Sequence, residues 1–466
     1  MKKHKLTFGL MALMGIMVLS ACEKEDPQPT ESIVEIAQAS ADLSSLVAAL
    51  TKFPDLVTTL SGEGDYTVFA PTNSAFAALL TAIGQTSIND VPEPVLKSLL
   101  QYHVVTSGAV LSTQLTAGNV ATANTENISV TTSGGIKLNG SASVLTADVK
   151  TTNGVVHIID KVLVPPSIAK FVNTVVEPAY FNKNFTTLIA AVTAASPSIL
   201  ETLLNSSKKT LFAPTNAAFT AAGITSLPAR ATLDAVLAYH VIGSEVKASQ
   251  LPSAAAPANN AITTLGGVFY LSNRGSNGVF INGRTRVTAT DIMADNGVVH
   301  VIDRTLLPPS QTIAQIATAL STASPGAEFT QLVAALGRVP ALLNAAAAAG
   351  SNLTVFAPTD AAFTALYTAL NVAGINNIDI DLLTAVLQHH IVSAPTTATG
   401  RVFSSDLVTG AVPTLNGNIS INATALTVTS GNGTAANIST NAALINVLGT
   451  NGVIHTINKV LIPAGK

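Results

Sequence analysis

Hydrophobic positions along this chain follow two patterns, one typical of helices and one typical of strands. Three segments carry apolar residues at i, i+3, i+4 and i+7, a spacing that places them on one face of a helix. These segments are Leu43, Leu46, Val47 and Leu50; Phe185, Leu188, Ile189 and Val192; and Phe329, Leu332, Val333 and Leu336. Each segment is therefore predicted to open a folded unit with an amphipathic helix.

A second helical pattern with the same spacing ends each time in a histidine. The three sets are Leu96, Leu99, Leu100 and His103; Leu233, Val236, Leu237 and His240; and Leu383, Val386, Leu387 and His390. A histidine on an apolar stripe is predicted to be a buried, hydrogen-bonded core residue. Beyond each histidine the chain is rich in Thr, Val, Asn and Gly, with Asn-Gly pairs at 139–140 and 282–283, so strands and turns are expected there.

Two short motifs occur three times each. The first includes Phe-Ala-Pro-Thr and spans 67–76, 210–219 and 354–363; the second begins Asn-Gly-Val and spans 153–160, 296–303 and 451–458. The first predicts a strand ended by proline and a helix capped by threonine, and the second predicts a hairpin turn leading into a buried strand.

The repeat length indicates that each copy is a whole domain. The phenylalanines at 69, 212 and 356 lie 143 and 144 residues apart, well beyond the periods of about 20–50 residues found in solenoids. The units end at prolines, which cannot continue a strand ladder. We predict domains at 32–166, 167–309 and 310–466.

The N-terminus has the features of a bacterial lipoprotein signal. A basic start precedes the apolar run from Leu6 to Leu19, which is too short to span a bilayer comfortably. The run leads into Leu19-Ser20-Ala21-Cys22, which resembles the bacterial lipobox. We predict a signal peptide at 1–21, lipid attachment at Cys22 and a polar tether at 22–31. A buried thiol is the alternative for this single cysteine.

Composition excludes one class of partner. Charged residues are 11% of the chain, against about 25% in an average soluble protein, and the net charge is −3 without a basic tract. A surface that neutralises phosphates is therefore not expected, and no nucleic-acid partner is predicted. The Asn and Thr side chains suit hydrogen bonding to sugars, and they equally suit a solvated surface of low charge.

The motifs and their order resemble the fasciclin domain over residues 32 to 464. The resemblance implies an α+β fold in which each domain is a small β-wedge of two sheets flanked by short helices. It also implies non-catalytic adhesion or matrix proteins, extracellular or membrane-anchored. In animal matrix members, integrin recognition is attributed to a Tyr-His pair and an Asp-Ile motif, so the resemblance implies ligand contacts at Tyr102, His103, Tyr239, His240, Asp291, Ile292 and Met293.

The third unit departs from this pattern. It has His389-His390 in place of Tyr-His, Asn446-Val447 in place of Asp-Ile, and Asn458 where Asp160 and Asp303 stand. Its distance from the helix histidine to the last Asn-Gly is 61 residues, against 50 and 56 in the other units. If one unit has diverged in function, we expect it to be the third.

Residue chemistry favours structural over catalytic roles. Three to four ligands are needed for tetrahedral zinc, whereas each unit offers two recurrent histidines and at most one nearby carboxylate, with His389 in addition in the third unit. His157 and Asp160 are moreover predicted to fall on opposite faces of a strand. We predict no metal, no cofactor and no enzymatic activity. Structural roles are predicted for His157, His300, His390, His455, Asp160 and Asp303, and the Tyr-His pairs remain open between core and ligand contact.

The predicted function is adhesion by a lipid-anchored protein of a bacterial envelope. We expect an outer-membrane lipoprotein displayed at the cell surface, with a periplasmic orientation as the alternative, and a cell-surface protein or glycan as partner. An envelope scaffold without adhesion activity is the alternative function.

Overall fold

A computed structural model describes residues 28–324, 326–392, 400–441 and 443–466. These residues form two compact units, one of 28–78 and 98–163 and the other of 79–97 and 164–466. The predicted signal peptide, Cys22 and most of the tether lie outside the described residues.

Each repeat combines short helices with short strands. The helices of the first repeat are Ile33–Ala39, Ser44–Leu50, Pro54–Ser61, Asn73–Ala82 and Glu93–Tyr102. Those of the second are Pro166–Ala169, Glu177–Tyr180, Thr186–Ala194, Pro197–Leu204, Asn216–Ala221 and Arg230–Tyr239. Those of the third are Ile313–Ser321, Thr330–Arg338, Pro340–Ala347, Asp360–Leu370 and Ile380–His389.

The strands of the first two repeats form seven-stranded sheets of the same order. In the first repeat they are Val104–Val105, Tyr66–Pro71, Gly154–Ile159, Ala142–Thr151, Lys137–Leu138, Asn127–Thr131 and Gly118–Ala121, in sheet order. In the second they are Val241–Ile242, Lys209–Pro214, Gly297–Ile302, Thr285–Ala294, Val279–Ile281, Gly267–Asn273 and Asn260–Thr264. The predicted α+β architecture is thereby confirmed.

The two sequence motifs meet as neighbouring strands. The strand that ends in Ala-Pro pairs in parallel with the strand that contains the last histidine, with Phe69 opposite His157. Their rings stack with centroids 5.6 Å apart. The same register places Phe212 opposite His300 and Phe356 opposite His455. All six rings are buried because these paired parallel strands are covered on both faces.

The structure adds helices that the sequence pattern did not predict, and it ends the second patterned helix of each repeat just before its histidine. The predicted opening helix is present, but Ile33–Ala39 and Ile313–Ser321 precede it in the first and third repeats. Ser32 with Glu35, and Thr312 with Gln315, form capping boxes that start these helices. The helix histidines lie just past the last helical residue, and His240 and His390 occupy the C-cap position. They are nevertheless buried, as predicted.

An inserted loop divides the sheet of the third repeat. Leu353–Pro358, Gly452–Ile457 and Val447–Gly449 form one sheet, and Gly410–Pro413, Asn418–Asn422, Thr427–Thr429 and Ala435–Asn437 form another. In the first two repeats a single ten-residue strand, Ala142–Thr151 or Thr285–Ala294, joins the corresponding halves. The longer spacing noted in the sequence therefore interrupts this strand.

The second and third repeats share an apolar contact inside the second unit. Phe403 is fully buried and packs on Tyr270 with ring centroids 5.8 Å apart. Gly283 has φ +69° and lies so close that an added Cβ would stand 2.2 Å from the Cβ of Phe403. A glycine is therefore required here by both the turn and the neighbouring ring.

A buried ion pair lies beside this apolar contact. Asp406 is 0% exposed and accepts hydrogen bonds from Arg274 Nη2 and Asn259 Nδ2, both at 2.7 Å. The Arg401 guanidinium lies over the Tyr270 ring, 4.7 Å from its centroid. Both charges of the ion pair are surrounded by donors and acceptors, which buried charges need.

Candidate functional site

The tyrosine of each Tyr-His pair lies in the interior of its repeat. Tyr102 and Tyr239 are each 0% exposed. Their hydroxyls donate to strand carbonyl oxygens at 2.7 and 2.9 Å and accept from Asn139 and Asn282 Nδ2 at 3.0 and 3.3 Å. These asparagines begin the Asn-Gly turns and have φ near +50°. Each tyrosine therefore holds a turn in place, and burial raises the pKa of Tyr239 to about 12.

The histidine of each pair uses both ring nitrogens within the core. In His103, His240 and His390, Nδ1–H donates to the carbonyl oxygen four residues earlier at 2.7 Å. Nε2 accepts the N–H of Leu163, Leu306 or Leu461 at 2.8–2.9 Å. This arrangement fits only the neutral ring, and burial lowers the pKa of each of these histidines to about 4.

In this structure the Tyr-His pairs present almost no surface to an external partner. Ligand contact by Tyr102, His103, Tyr239 and His240 stays a prediction, and it would require local opening of the core. In the third repeat His389 replaces the tyrosine and is also buried. Its Nδ1–H donates to the carbonyl oxygen of Asn416 at 2.5 Å, in the turn between Gly410–Pro413 and Asn418–Asn422, so His389 bonds to a different turn from the one that Tyr102 holds.

The side chain of the last histidine in each repeat links its strand to a loop through a hydrogen bond. His157, His300 and His455 are 0% exposed, and their Nε2–H groups donate to loop carbonyl oxygens at 2.8–2.9 Å. Nδ1 accepts the N–H of Asp148 in the first repeat and of Asp291 in the second, at 3.2 and 3.3 Å. His455 Nδ1 is buried without a hydrogen-bond partner among the described residues.

The Asp-Ile motif forms an irregularity in the long strand. Asp148 and Asp291 have φ +61° and +59°, which Asp tolerates better than most residues. The Asp148 carboxylate accepts from the N–H and Oγ of Ser112 at 2.6 and 2.5 Å, and Asp291 accepts from the N–H of Ala248 at 2.8 Å. Burial alone would raise the pKa of Asp148, but the bonds from Ser112 leave it below its usual value. The motif therefore ties strand to loop.

Part of this motif also reaches the surface. Asp291 is exposed, Ile292 packs against the helix-side core, and Met293 is 51% exposed. Among the predicted ligand-contact residues, this segment of the second repeat is the accessible one.

The aspartate that ends the Asn-Gly-Val motif accepts a backbone N–H from the neighbouring long strand. Asp160 Oδ1 accepts the N–H of Ser143 at 2.7 Å, and Asp303 Oδ1 accepts the N–H of Arg286 at 2.8 Å. Asn458 accepts from Asn437 at 2.7 Å in the same way. Because an amide oxygen accepts as a carboxylate does, the change to Asn458 keeps this bond.

The asparagine that opens each last motif has a role that sequence reasoning missed. Asn153, predicted to begin a turn, is 3% exposed and accepts the N–H of Ile33 at 3.0 Å. Its Nδ2 donates to the carbonyl oxygens of Leu60 and Gly62, both at 2.8 Å. Asn296 and Asn451 make the corresponding three bonds. We call these residues the anchor asparagines; their exact recurrence in three repeats was the available signal.

Neither a metal cluster nor a spanning helix is found in the described part of the chain. No group of three or more His, Cys, Asp or Glu side chains there is arranged to hold a metal ion. None of its helices can cross a membrane singly, although the bent pair Ile33–Ala39 and Ala41–Leu50 satisfies length and composition alone.

Comparisons with known proteins identify related chains. Protein sll1483 of Synechocystis sp. is 43% identical over 136 residues, 29% of this chain and 74% of that protein. Transforming growth factor-beta-induced protein ig-h3 of Sus scrofa is 32% identical over 260 residues, 54% of this chain and 36% of that protein. Periostin of Homo sapiens is 28% identical over 71% of this chain and 37% of that protein. The chain thus spans well under half of these two animal relatives.

A structural match and a family match complete the comparison. The FAS1 domain pair of the insect cell adhesion molecule fasciclin I aligns with 60% of this chain at 18% identity, with a TM-score of 0.28, too low to support an inference. The family described as Fasciclin domain matches residues 41–165, 183–308 and 327–463, more than half of the chain. This chain belongs to the fasciclin domain family, with three copies of the domain.

Proposed function

We propose that this chain is a non-catalytic adhesion protein of a bacterial envelope. Fasciclin domains are generally non-catalytic adhesion domains, and the chain carries three of them. This threefold repetition is the observation that carries the proposal, because several weak sites on one tether raise the effective concentration at a surface. Adhesion then needs no single tight site.

The proposed membrane attachment is a lipid on Cys22. The apolar run from Leu6 to Leu19 and the small residues before Cys22 support this proposal. Each buried acyl CH₂ contributes about 0.8 kcal/mol, so several chains on one residue would hold the protein durably. We propose the outer membrane, with the domains facing the cell exterior.

The proposed partner is a cell-surface protein or glycan. The exposed segment of Asp291 and Met293 supports one contact, since an exposed apolar side chain beside a charge can contribute to a protein interface. Tyr102, His103, Tyr239 and His240 are proposed to support binding indirectly by holding the repeats folded.

The experiment compares adhesion of cells that produce the intact protein with cells that lack it. We expect the intact protein to increase adhesion to host cells or matrix polymers, and Cys22→Ser to remove both membrane association and adhesion. Met293→Ala should weaken adhesion, whereas Leu145→Ala, a 59% exposed apolar residue of the corresponding strand in the first repeat, serves as the matched control. Unchanged membrane association of Cys22→Ser would exclude the lipid anchor.

The alternative function is an envelope scaffold. The low charge of the chain and its abundant Asn and Thr are compatible with a polysaccharide-rich setting. A scaffold predicts that loss of the protein alters envelope integrity while adhesion stays the same, which separates it from the adhesion proposal.

A further inference from the structure

The second unit contains a cleft of about 490 Å³ at the end of the strand Thr285–Ala294. Residues of the segments 81–85, 173–182 and 292–295 line it, and all of them belong to this unit. We call it the acidic cleft, because Glu177 and Asp295 are the only charged side chains among its lining residues in the described part of the chain. A concave site with a few placed polar groups is the usual form of a ligand site.

One backbone turn brings the two carboxylates of the acidic cleft together. Glu177 is the first residue of the helix Glu177–Tyr180, and its Oε2 accepts the N–H of Asn173. The carbonyl oxygen of the same Asn173 accepts the N–H of Asp295 at 2.9 Å. Asn173 has φ +62°, a left-handed conformation that asparagine adopts more readily than most residues. Asn173 therefore holds both acidic residues next to each other in one wall.

Glu177 is a buried acid whose charge is not balanced within the described residues. It is 9% exposed, and the N–H of Asn173 is the one hydrogen-bond donor that its carboxylate has there. Burial raises the pKa of Glu177, the bond from Asn173 lowers it, and the charge of Asp295 raises it again. No lysine, arginine or histidine of the described residues pairs with either carboxylate. Because buried carboxylates are usually paired, a cation that enters the cleft would relieve the repulsion between the two acids.

The remaining wall determines which kind of cation fits. Ile83, Phe185, Ile292 and Met293 line the cleft, and Met293 is 51% exposed. An arginine side chain combines an apolar stem with a guanidinium fork that binds carboxylates through two parallel hydrogen bonds. A calcium ion would need six to eight oxygen ligands, and the described residues hold no group of three or more side chains arranged for a metal. Acids beside apolar groups therefore favour arginine over a metal ion.

We propose that the acidic cleft binds an arginine side chain exposed on a partner protein. The guanidinium lies against Glu177 and Asp295, and its stem packs on Ile292 and Met293. This inference rests on the proposed adhesion function and specifies the chemistry of its partner. Binding involves no covalent step.

The test measures binding of the peptide acetyl-Gly-Leu-Arg-Leu-Gly-amide to the full-length protein in detergent by NMR titration. The matched control peptide has citrulline in place of arginine, which keeps the shape of the side chain and removes its charge. We expect binding of the arginine peptide to weaken as salt is added, and the citrulline peptide to bind at least about tenfold more weakly.

Protein variants test the same charges from the other side. Glu177→Gln should weaken binding of the arginine peptide at least about tenfold, and Asp295→Asn should weaken it less because that side chain is exposed. The amide oxygen of glutamine still accepts the N–H of Asn173, so a thermal melt should show that Glu177→Gln stays folded. Glu201→Gln removes an exposed carboxylate of the same repeat outside the cleft, and it should leave binding unchanged.

Several outcomes would overturn the proposal. These are absence of arginine-peptide binding, equal binding of the citrulline peptide, an equal loss in Glu201→Gln, or displacement of the peptide by Ca²⁺ at constant ionic strength, which would indicate a metal site. Arginine-peptide binding without cell adhesion would contradict the adhesion proposal alone, whereas adhesion without arginine-peptide binding would contradict the cleft alone.

Discussion

At the scale of single residues, the recurrent buried polar side chains form hydrogen bonds that hold distant backbone segments of each repeat together. His103 and His157 connect a helix end and a central strand to distant backbone groups. Each nitrogen of His103 has one partner, so the ring supplies a donor and an acceptor at fixed positions. Few other side chains of that size can do both.

We expect His103→Ala to destabilise the first repeat by about 1–3 kcal/mol, because it leaves the N–H of Leu163 without its acceptor in the core. Urea unfolding followed by circular dichroism measures this change. Glu63→Ala, an exposed change in the same repeat, should leave the midpoint where it was. An unchanged midpoint in His103→Ala together with reduced cell adhesion would favour the ligand role of the pair.

The same histidines predict a loss of stability in mild acid. The folded pKa values of His103, His240 and His390 are about 4, below the ordinary 6.5, so the unfolded chain takes up protons first. The stability that comes from keeping these rings neutral is fully present above pH 6.5 and is lost as the pH falls toward 4. The free energy of unfolding decreases by at most about 1.4 kcal/mol per pH unit for each ring. Melting temperatures between pH 7 and pH 5 should decrease accordingly. Imidazole NMR titrations with midpoints near 6.5 would refute the assignment.

At the scale of elements, the anchor asparagines join the start of each repeat to its last strand. Asn153 lies immediately before Gly154–Ile159 and binds Ile33, the first residue of the first helix. It also binds the end of Pro54–Ser61 through Leu60 and Gly62. One side chain thus connects three elements that are far apart in sequence.

Asn153→Ala should release the first helix before the rest of the repeat. Three backbone groups lose their buried partner, at about 1–3 kcal/mol for each unsatisfied group, so the helix Ile33–Ala39 is expected to open locally. Hydrogen exchange read by mass spectrometry should show faster exchange at 33–39. Thr152→Ala, an exposed change one residue earlier, is the matched control; equal exchange in both variants would contradict the role of the anchor.

At the scale of the whole molecule, the contact between the second and third repeats couples their stability. Asp406 accepts from both Arg274 and Asn259 in a fully buried position. A charge in that position is tolerated only while its partner is present. The two repeats are therefore expected to lose stability together when this pair is broken.

Asp406→Ala should destabilise the second unit by about 3–5 kcal/mol, because it leaves the Arg274 charge buried without its partner. Adding Arg274→Met to Asp406→Ala should lower the free energy of unfolding only a little further. The two substitutions should therefore be strongly non-additive in a double-mutant cycle measured by calorimetry. The partly exposed pair of Lys208 and Glu245 is the control, and Glu245→Ala should lower the free energy of unfolding by less than about 1 kcal/mol. Additive effects of the two substitutions would contradict the coupling.

Local chemistry in the sequence predicted some features and not others. The helix faces, the buried His103 and the threonine caps follow from spacing within ten residues, and Thr215 and Thr359 do cap their helices. The role of Asn153 depends on Ile33, which lies 120 positions away in the sequence. The local Asn153-Gly154 pair predicts only a turn, so it could not reveal this contact. The pairing of Arg274 with Asp406 joins two repeats and leaves no periodic signal in either.

The anchor asparagine also determines how a repeat would bear mechanical load. In the first repeat the incoming chain is held at Asn153, at one end of Gly154–Ile159, and the outgoing chain leaves past Leu163, beyond the other end. Neighbouring strands bind this one on both sides, with hydrogen bonds across its length. A pull on the two ends would therefore load many of these hydrogen bonds at once in shear, instead of opening them one by one.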